Sequence, residues 1–192
     1  ALSLRYRFIP KRLMTVEPGF LYRSGQIDSR LIAPTLARLK IDVIVDLQGH
    51  HPSSPSARAA ELEAARQLGI RYHAFSLEGD GTGSIEIYVK ALAIVHQGQQ
   101  EGKRVLVHCA AGTERTGALI GFYQLLFEKQ PPEKVWADIQ KAGHNPARNP
   151  RLRSFMNESL PILAKRLHEK GLLSQIPDPL PLLPSNSPKP TS

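Results

Sequence analysis

The sequence predicts an α/β fold: a central, mostly parallel sheet of about four to five strands flanked by helices. Three observations carry this. Short runs rich in apolar residues at 41–47, 70–77 and 103–109 read as buried strands. Stretches with helical spacing alternate with them. Clusters of Gly, Pro and Ser mark the boundaries. Strands alternating with helices call for helices on both faces of one sheet. Ligands of such sheets bind beyond the C-terminal ends of the strands.

Each element has its own signal. Residues 1–20 are mixed and basic and are expected to pack along an edge. "FLYRSG" (20–25) is a short strand closed by glycine. "SRLIAPTLARLK" (29–40) predicts a helix with Leu31, Leu36 and Leu39 in the core. "IDVIVDL" (41–47) predicts a strand buried on both faces. "GHHPSSPS" (49–56) is a loop, and "ARAAELEAARQLG" (57–69) a helix stopped by Gly69. "IRYHAFSL" (70–77) predicts a second central strand, followed by the glycine-rich loop "EGDGTGS" (78–84). Residues 85–102 predict a long helix and "KRVLVHC" (103–109) a third core strand. Residues 116–129 form a strongly apolar helix, and Pro131-Pro132 open another. A last helix is expected across 151–171, bent or broken near Pro161. One domain is expected over 1–175, with 1–18 as a basic N-terminal extension. The six prolines from Ile176 onward predict a proline-rich C-terminal tail or strap over 176–192.

The 192 residues suffice for one sizeable core. The formal charge of +8 is uneven. Residues 1–30 carry six Lys/Arg against two acids, residues 31–128 nine against ten, and residues 129–192 ten against five. Basic ends around a neutral middle suit acidic partners. The single cysteine excludes an internal disulfide and a cysteine-based zinc cluster. His50-His51 have no Cys, Asp or Glu at ligand spacing, so they read as loop residues rather than a metal site.

That lone cysteine, Cys109, ends a predicted buried strand and opens the tight loop "AAGTE", which feeds a helix near Arg115. The loop N–H groups of Ala110, Ala111, Gly112, Thr113, Glu114 and Arg115 can converge on one point. The helix N-terminus adds partial positive charge there. Gly112 permits a conformation that a side chain would block. Arg115 offers a planar fork of donors matched to phosphate oxygens. Such a cradle binds a tetrahedral oxyanion and stabilises a thiolate, which makes the cysteine a nucleophile.

"HCAAGTERTG" (108–117) resembles the His-Cys-x5-Arg-Ser/Thr signature of the protein tyrosine phosphatase superfamily. It is most similar to the small dual-specificity-like branch found in bacteria and fungi. "LYRSGQ" (21–26) and "VIVDLQ" (43–48) resemble two strands of that branch, and the likeness covers about residues 18–165. The resemblance implies a phosphatase that works through phosphocysteine on Cys109, without metal or organic cofactor; the alternative is a phosphate-binding module without turnover. Arg115 and the loop N–H groups would hold the phosphoryl oxygens. Thr116 would bond the sulfur and help expel it, and His108 would orient the loop through its ring nitrogens. The family places an acidic residue about thirty positions before the cysteine. Asp80 occupies that place, with Glu78 as competitor, and the flanking glycines would let the loop close. Glu114 is the unusual residue, since an acid pointing into the cradle opposes an anion. The arginines of "HNPARNPRLR" (144–153) could contact substrate or form a solvated basic loop, while Trp136 and Phe155 read as core.

The expected partner is a phosphorylated protein, or a small phosphate ester such as a phosphoinositide, not nucleic acid. The basic ends allow peripheral membrane contact. A monomer is expected. The expected location is cytoplasmic; the alternative is anchoring through a segment upstream of Ala1.

Overall fold

The computed structural model describes residues 5–49 and 52–185, so the reading of His50-His51 lies outside the described residues. Five strands form one sheet: β1 (Met14–Glu17), β2 (Leu21–Gly25), β3 (Val43–Asp46), β4 (Arg71–Ala74) and β5 (Val105–Cys109). Their spatial order is β1-β2-β5-β3-β4. β1 runs antiparallel to β2, and the other pairs are parallel. Six helices are described: α1 (Ile32–Leu39), α2 (Pro55–Leu68), α3 (Ile85–Gln100), α4 (Glu114–Leu126), α5 (Pro132–Lys141) and α6 (Arg151–Glu169). No helix among the described residues is long and apolar enough to cross a membrane.

Strand periodicity sorts the core into two clusters. Val43 and Val45 of β3, with Val105, Val107 and Cys109 of β5, face α3, α4 and α6. Ile44 and Leu106 face α1 and α2. The α2 boundaries follow their caps: Ser54 Oγ accepts from the Ala57 N–H, Pro55 occupies the first turn, and Gly69 ends the helix in the left-handed region.

Two expectations are corrected. The run 70–77 is not a central strand. β4 pairs only with β3 and lies at the sheet edge, where Arg71 and Ala74 are exposed. Its β-branched character is too slight to fill both faces. Pro161 does not break the last helix, which continues from Arg151 to Glu169. Pro161 is exposed, while Leu160, Leu163 and Ala164 anchor that turn in the core, so packing outweighs the missing N–H.

Segments near both ends of the described residues pack on this frame. β1 belongs to the basic N-terminal stretch. At the other end, Leu183 is buried in the larger cluster. Its N–H donates to Asn157 Oδ1 (2.8 Å), and its carbonyl accepts from Asn157 Nδ2 (3.0 Å).

Candidate active site

The site stands at the C-terminal ends of β2, β5 and β3. Register places Gly25 beside Cys109 and Asp46 beside His108. The cradle loop 110–113 then folds back over the end of β2. This close approach requires two glycines. Gly112 has φ +79°, and a Cβ there would meet the Gly25 nitrogen at 2.5 Å. A Cβ on Gly25 would meet the Ala111 oxygen at 2.7 Å. Both positions exclude a side chain.

Three cations hold the back of the loop. Lys11 Nζ donates to the Ala110 carbonyl (2.8 Å), Arg12 Nη1 to the Ala111 carbonyl (2.9 Å), and Arg23 Nη2 to the Gly112 carbonyl (2.9 Å). The Gln26 N–H also donates to Ala110 O (3.2 Å). Three consecutive carbonyls are thus engaged by charge-assisted bonds. Charge counts and spacing alone had suggested a basic extension, not a clamp on the loop.

Inside the cradle, Cys109 is 2% exposed, and its sulfur accepts from the Gly112 N–H at 3.2 Å. Burial pushes the thiol up. The Thr116 side chain, the Arg115 charge and the N–H groups of Thr116 and Gly112 outweigh it, holding the thiol below its ordinary value. The Thr116 hydroxyl is buried without a well-aligned partner. Arg115 gives one N–H to the Leu47 carbonyl (3.3 Å), while its Nε is buried with no partner among the described residues. An unmet buried donor costs about 1–3 kcal/mol, which an entering anion would recover.

His108 faces the other way. Strand alternation puts its ring on the α2 side of the sheet. It meets Glu61 Oε2 at 3.2 Å and Asp46 Oδ1 at 3.9 Å. The Tyr72 hydroxyl stands 2.8 Å from Asp46 Oδ2 and 3.1 Å from Glu61 Oε2, with one proton to donate between them, and Arg58 pairs with Asp46 at 3.5 Å. Burial lowers the imidazole, but Glu61, Asp46 and Cys109 push it up to about 9, so it carries a proton at neutral pH. Asp46, Glu61 and His108 are close enough to share a cation. Arg58 and His108 stand against these two side chains as their partners. Sequence separation hid this cluster, although Arg58 and Glu61 sit three apart on α2.

The acid loop lies over the same face. Asp80 Oδ1 accepts from the Thr82 N–H (2.9 Å) and hydroxyl (2.7 Å). Arg151 Nη1 stands 3.9 Å from its other oxygen. Partial burial raises the Asp80 carboxyl, and the Thr82 bonds and Arg151 outweigh that, leaving it below its ordinary value. Glu78 is exposed on the same turn, where its carbonyl accepts from the Gly81 N–H (3.0 Å). The buried Tyr88 hydroxyl donates to the Gly81 carbonyl (2.5 Å), tying the acid loop to α3. Gly81 is where this loop packs most closely on its neighbours. A Cβ on Gly81 would meet Leu152 Cδ1 at 2.6 Å and the Glu114 backbone at 3.1 Å.

Glu114 points away from the cradle. Its carboxylate is bonded to His144 Nδ1 (2.7 Å) and accepts from Asn149 Nδ2 (3.1 Å). The same Asn149 amide donates to the Asp80 carbonyl (2.6 Å). One polar node therefore ties the start of α4, the acid loop and residues 144–149 together. Trp136 is buried, with His144 edge-on to its ring and Arg153 over it. Phe155 is partly buried against the core.

The comparisons agree with this geometry. The family described as "Dual specificity phosphatase, catalytic domain" matches residues 21–156. The chain is 31% identical over 142 residues to the dual specificity protein phosphatase PHS1 of Arabidopsis thaliana. That match covers 71% of this chain and only 14% of the relative. Among solved structures, a putative phosphatase from Shewanella putrefaciens is similar at a TM-score of 0.65 and 24% identity, covering 83% of this chain and 95% of that one. The core catalytic domain of the PP-IP phosphatase SIW14 from S. cerevisiae is similar at 0.64 and 18%, covering 86% and 96%. The family match spans four of the five strands, the cradle and the acid loop, and the chain belongs to the dual specificity phosphatase catalytic-domain family, within the cysteine phosphatases of the protein tyrosine phosphatase superfamily.

Proposed function

We propose that the chain dephosphorylates phosphotyrosine and phosphoserine/threonine in proteins, in two steps through phosphocysteine on Cys109. The observation that carries the site assignment is the unmet Arg115 Nε beside a thiol held below its ordinary value. A phosphoryl group seated there would meet that donor and the inward N–H groups of the loop. Such donors gain most as charge spreads over the equatorial oxygens.

In the first step the Cys109 thiolate attacks phosphorus and the P–O ester bond breaks. Asp80 passes its proton to the leaving oxygen. The incoming dianion opposes ionisation of Asp80, offsetting the influence of Thr82. In the second step water attacks phosphorus, Asp80 takes its proton, and the P–S bond breaks. The Thr116 hydroxyl donates to the departing sulfur, and inorganic phosphate leaves. No step calls for a metal or cofactor.

A small phosphate ester is the second reading. It is favoured by a cavity of about 450 Å³ beside the cradle, with Arg7 and Lys11 in its wall. Hydrolysis of para-nitrophenyl phosphate, lost in Cys109→Ser, tests the chemistry; persistent turnover in that variant would overturn the nucleophile. A panel of phosphopeptides against phosphoinositides tests the substrate. Preference for the lipids would replace the first reading by the second.

A further inference from the structure

Ahead of β1 the chain makes a tight turn, in which the N–H groups of Phe8 and Ile9 both donate to the Arg5 carbonyl (3.0 and 3.1 Å). Phe8 is 73% exposed and Ile9 48%. Among the described residues no large apolar side chain is more exposed than Phe8, and no other two sequence neighbours of this kind are both exposed. Single apolar residues are ordinary on a surface. An adjacent pair on one turn forms an apolar tip.

Cations ring this tip. Arg5 and Arg7 are exposed on the same turn. Arg30 comes up beside them, its Nη2 donating to the Arg7 carbonyl (3.4 Å). The carboxylate nearby, Asp28, is already paired with Arg30 Nε at 3.0 Å. An acidic protein would satisfy these cations, but it would need a shaped pocket for Phe8. A fluid anionic bilayer takes both at once, with phosphates for the guanidinium groups and the headgroup boundary for the ring.

The turn also lies at the end of the sheet where the site stands. The Gly25 N–H, at the end of β2, donates to the Lys11 carbonyl (2.7 Å), and Gly25 is paired with Cys109.

We propose that the turn Arg5–Ile9 is a membrane-docking surface, which inserts Phe8 and Ile9 at the headgroup boundary of an anionic bilayer while Arg5, Arg7 and Arg30 meet lipid phosphates. The inference goes beyond the phosphatase reading, because the turn carries no reacting group. It gives the enzyme a surface on which to meet its substrate.

The test is sedimentation of the full chain with vesicles, either of phosphatidylcholine alone or of phosphatidylcholine and phosphatidylserine in equal parts. Binding should be at least about tenfold tighter to the mixed vesicles and should weaken at high salt. Arg5→Glu and the double variant Phe8→Ser/Ile9→Ser should each lower it about tenfold or more. Both should keep wild-type turnover of para-nitrophenyl phosphate, which shows that the fold survives. Phe8→Trp keeps the apolar tip. It should bind as the wild type does, and its emission should shift to the blue on mixed vesicles, over the constant signal of the buried Trp136. No binding to mixed vesicles, equal binding to both lipids, or an unshifted Phe8→Trp emission would overturn the docking surface. So would loss in Arg5→Glu alone, which would remove the insertion. Binding to soluble polyglutamate as tight as to mixed vesicles would replace the bilayer by an acidic protein. None of these outcomes touches the assignment of Cys109, which stands or falls with turnover.

Discussion

The Glu114 carboxylate turns its back on the anion cradle and is bonded to His144 at 2.7 Å. An acid within the signature loop therefore does not repel substrate. It serves as a post to which Asn149 ties the backbone of Asp80. Glu114→Ala should release the acid loop while leaving the thiol unchanged. We expect kcat to fall about tenfold, with little change in the pH dependence of Cys109 alkylation. A change confined to KM would contradict this role.

Asp80 and Glu78 are separated by leaving-group chemistry. A positioned acid contributes about 10²- to 10⁴-fold where the departing oxygen needs a proton. Asp80→Asn should therefore cost far more on phenyl phosphate than on para-nitrophenyl phosphate, whose phenolate leaves unaided. It should also remove the alkaline fall in kcat/KM, because the acid must be protonated to act. Glu78→Gln should do neither. The reverse pattern would move the acid to Glu78.

Lys11 acts from behind the loop. Burial and the neighbouring Arg12 charge hold the Lys11 amine below its ordinary value, and the charge of Cys109 opposes them. Lys11→Met should raise the midpoint of Cys109 alkylation by iodoacetamide and lower kcat about tenfold. Lys11→Arg should recover most of both. Equal loss in the two variants would reduce Lys11 to a packing role.

The His108 cluster predicts a pH window for stability. His108 is raised from an ordinary value near 6.5 to about 9. A raised imidazole contributes stability that is complete below about pH 6.5 and fades as pH rises through about 9. Thermal denaturation of the wild type should show that loss. In Glu61→Gln the whole curve should drop, since breaking a buried pair costs about 3–5 kcal/mol. The decline between pH 6.5 and 9 should also be shallower. Parallel curves would exclude Glu61 as the source of the raised value.

What could be read beforehand was whatever depends on neighbours in sequence. β3 and β5 announce themselves by β-branched runs, and the cradle from Cys109 to Thr116 is a local motif. Contacts across long separations were not legible. Lys11 and Ala110 are 99 positions apart, and Arg23 and Gly112 are 89 apart. The +4 of residues 1–30 was visible, but no spacing rule says that its cations end on three carbonyls. The direction of Glu114 depends on His144 and Asn149, 30 and 35 positions away. The edge position of β4 was missed because Ile70 and Phe75 make the run look more apolar than its paired residues are. Pro161 misled because a propensity was weighed without the packing on either side of it.

The collar of Lys11, Arg12 and Arg23 has a kinetic meaning. A peptide plane rotates as a unit, so turning an N–H out of the cradle would also swing its attached carbonyl inward. Each of the three planes after residues 110, 111 and 112 is restrained against that flip by a charge-assisted bond. The loop is thus held in one arrangement by the cations behind it. Phosphate arrival need not wait for the backbone to reorganise, because folding has set it in advance.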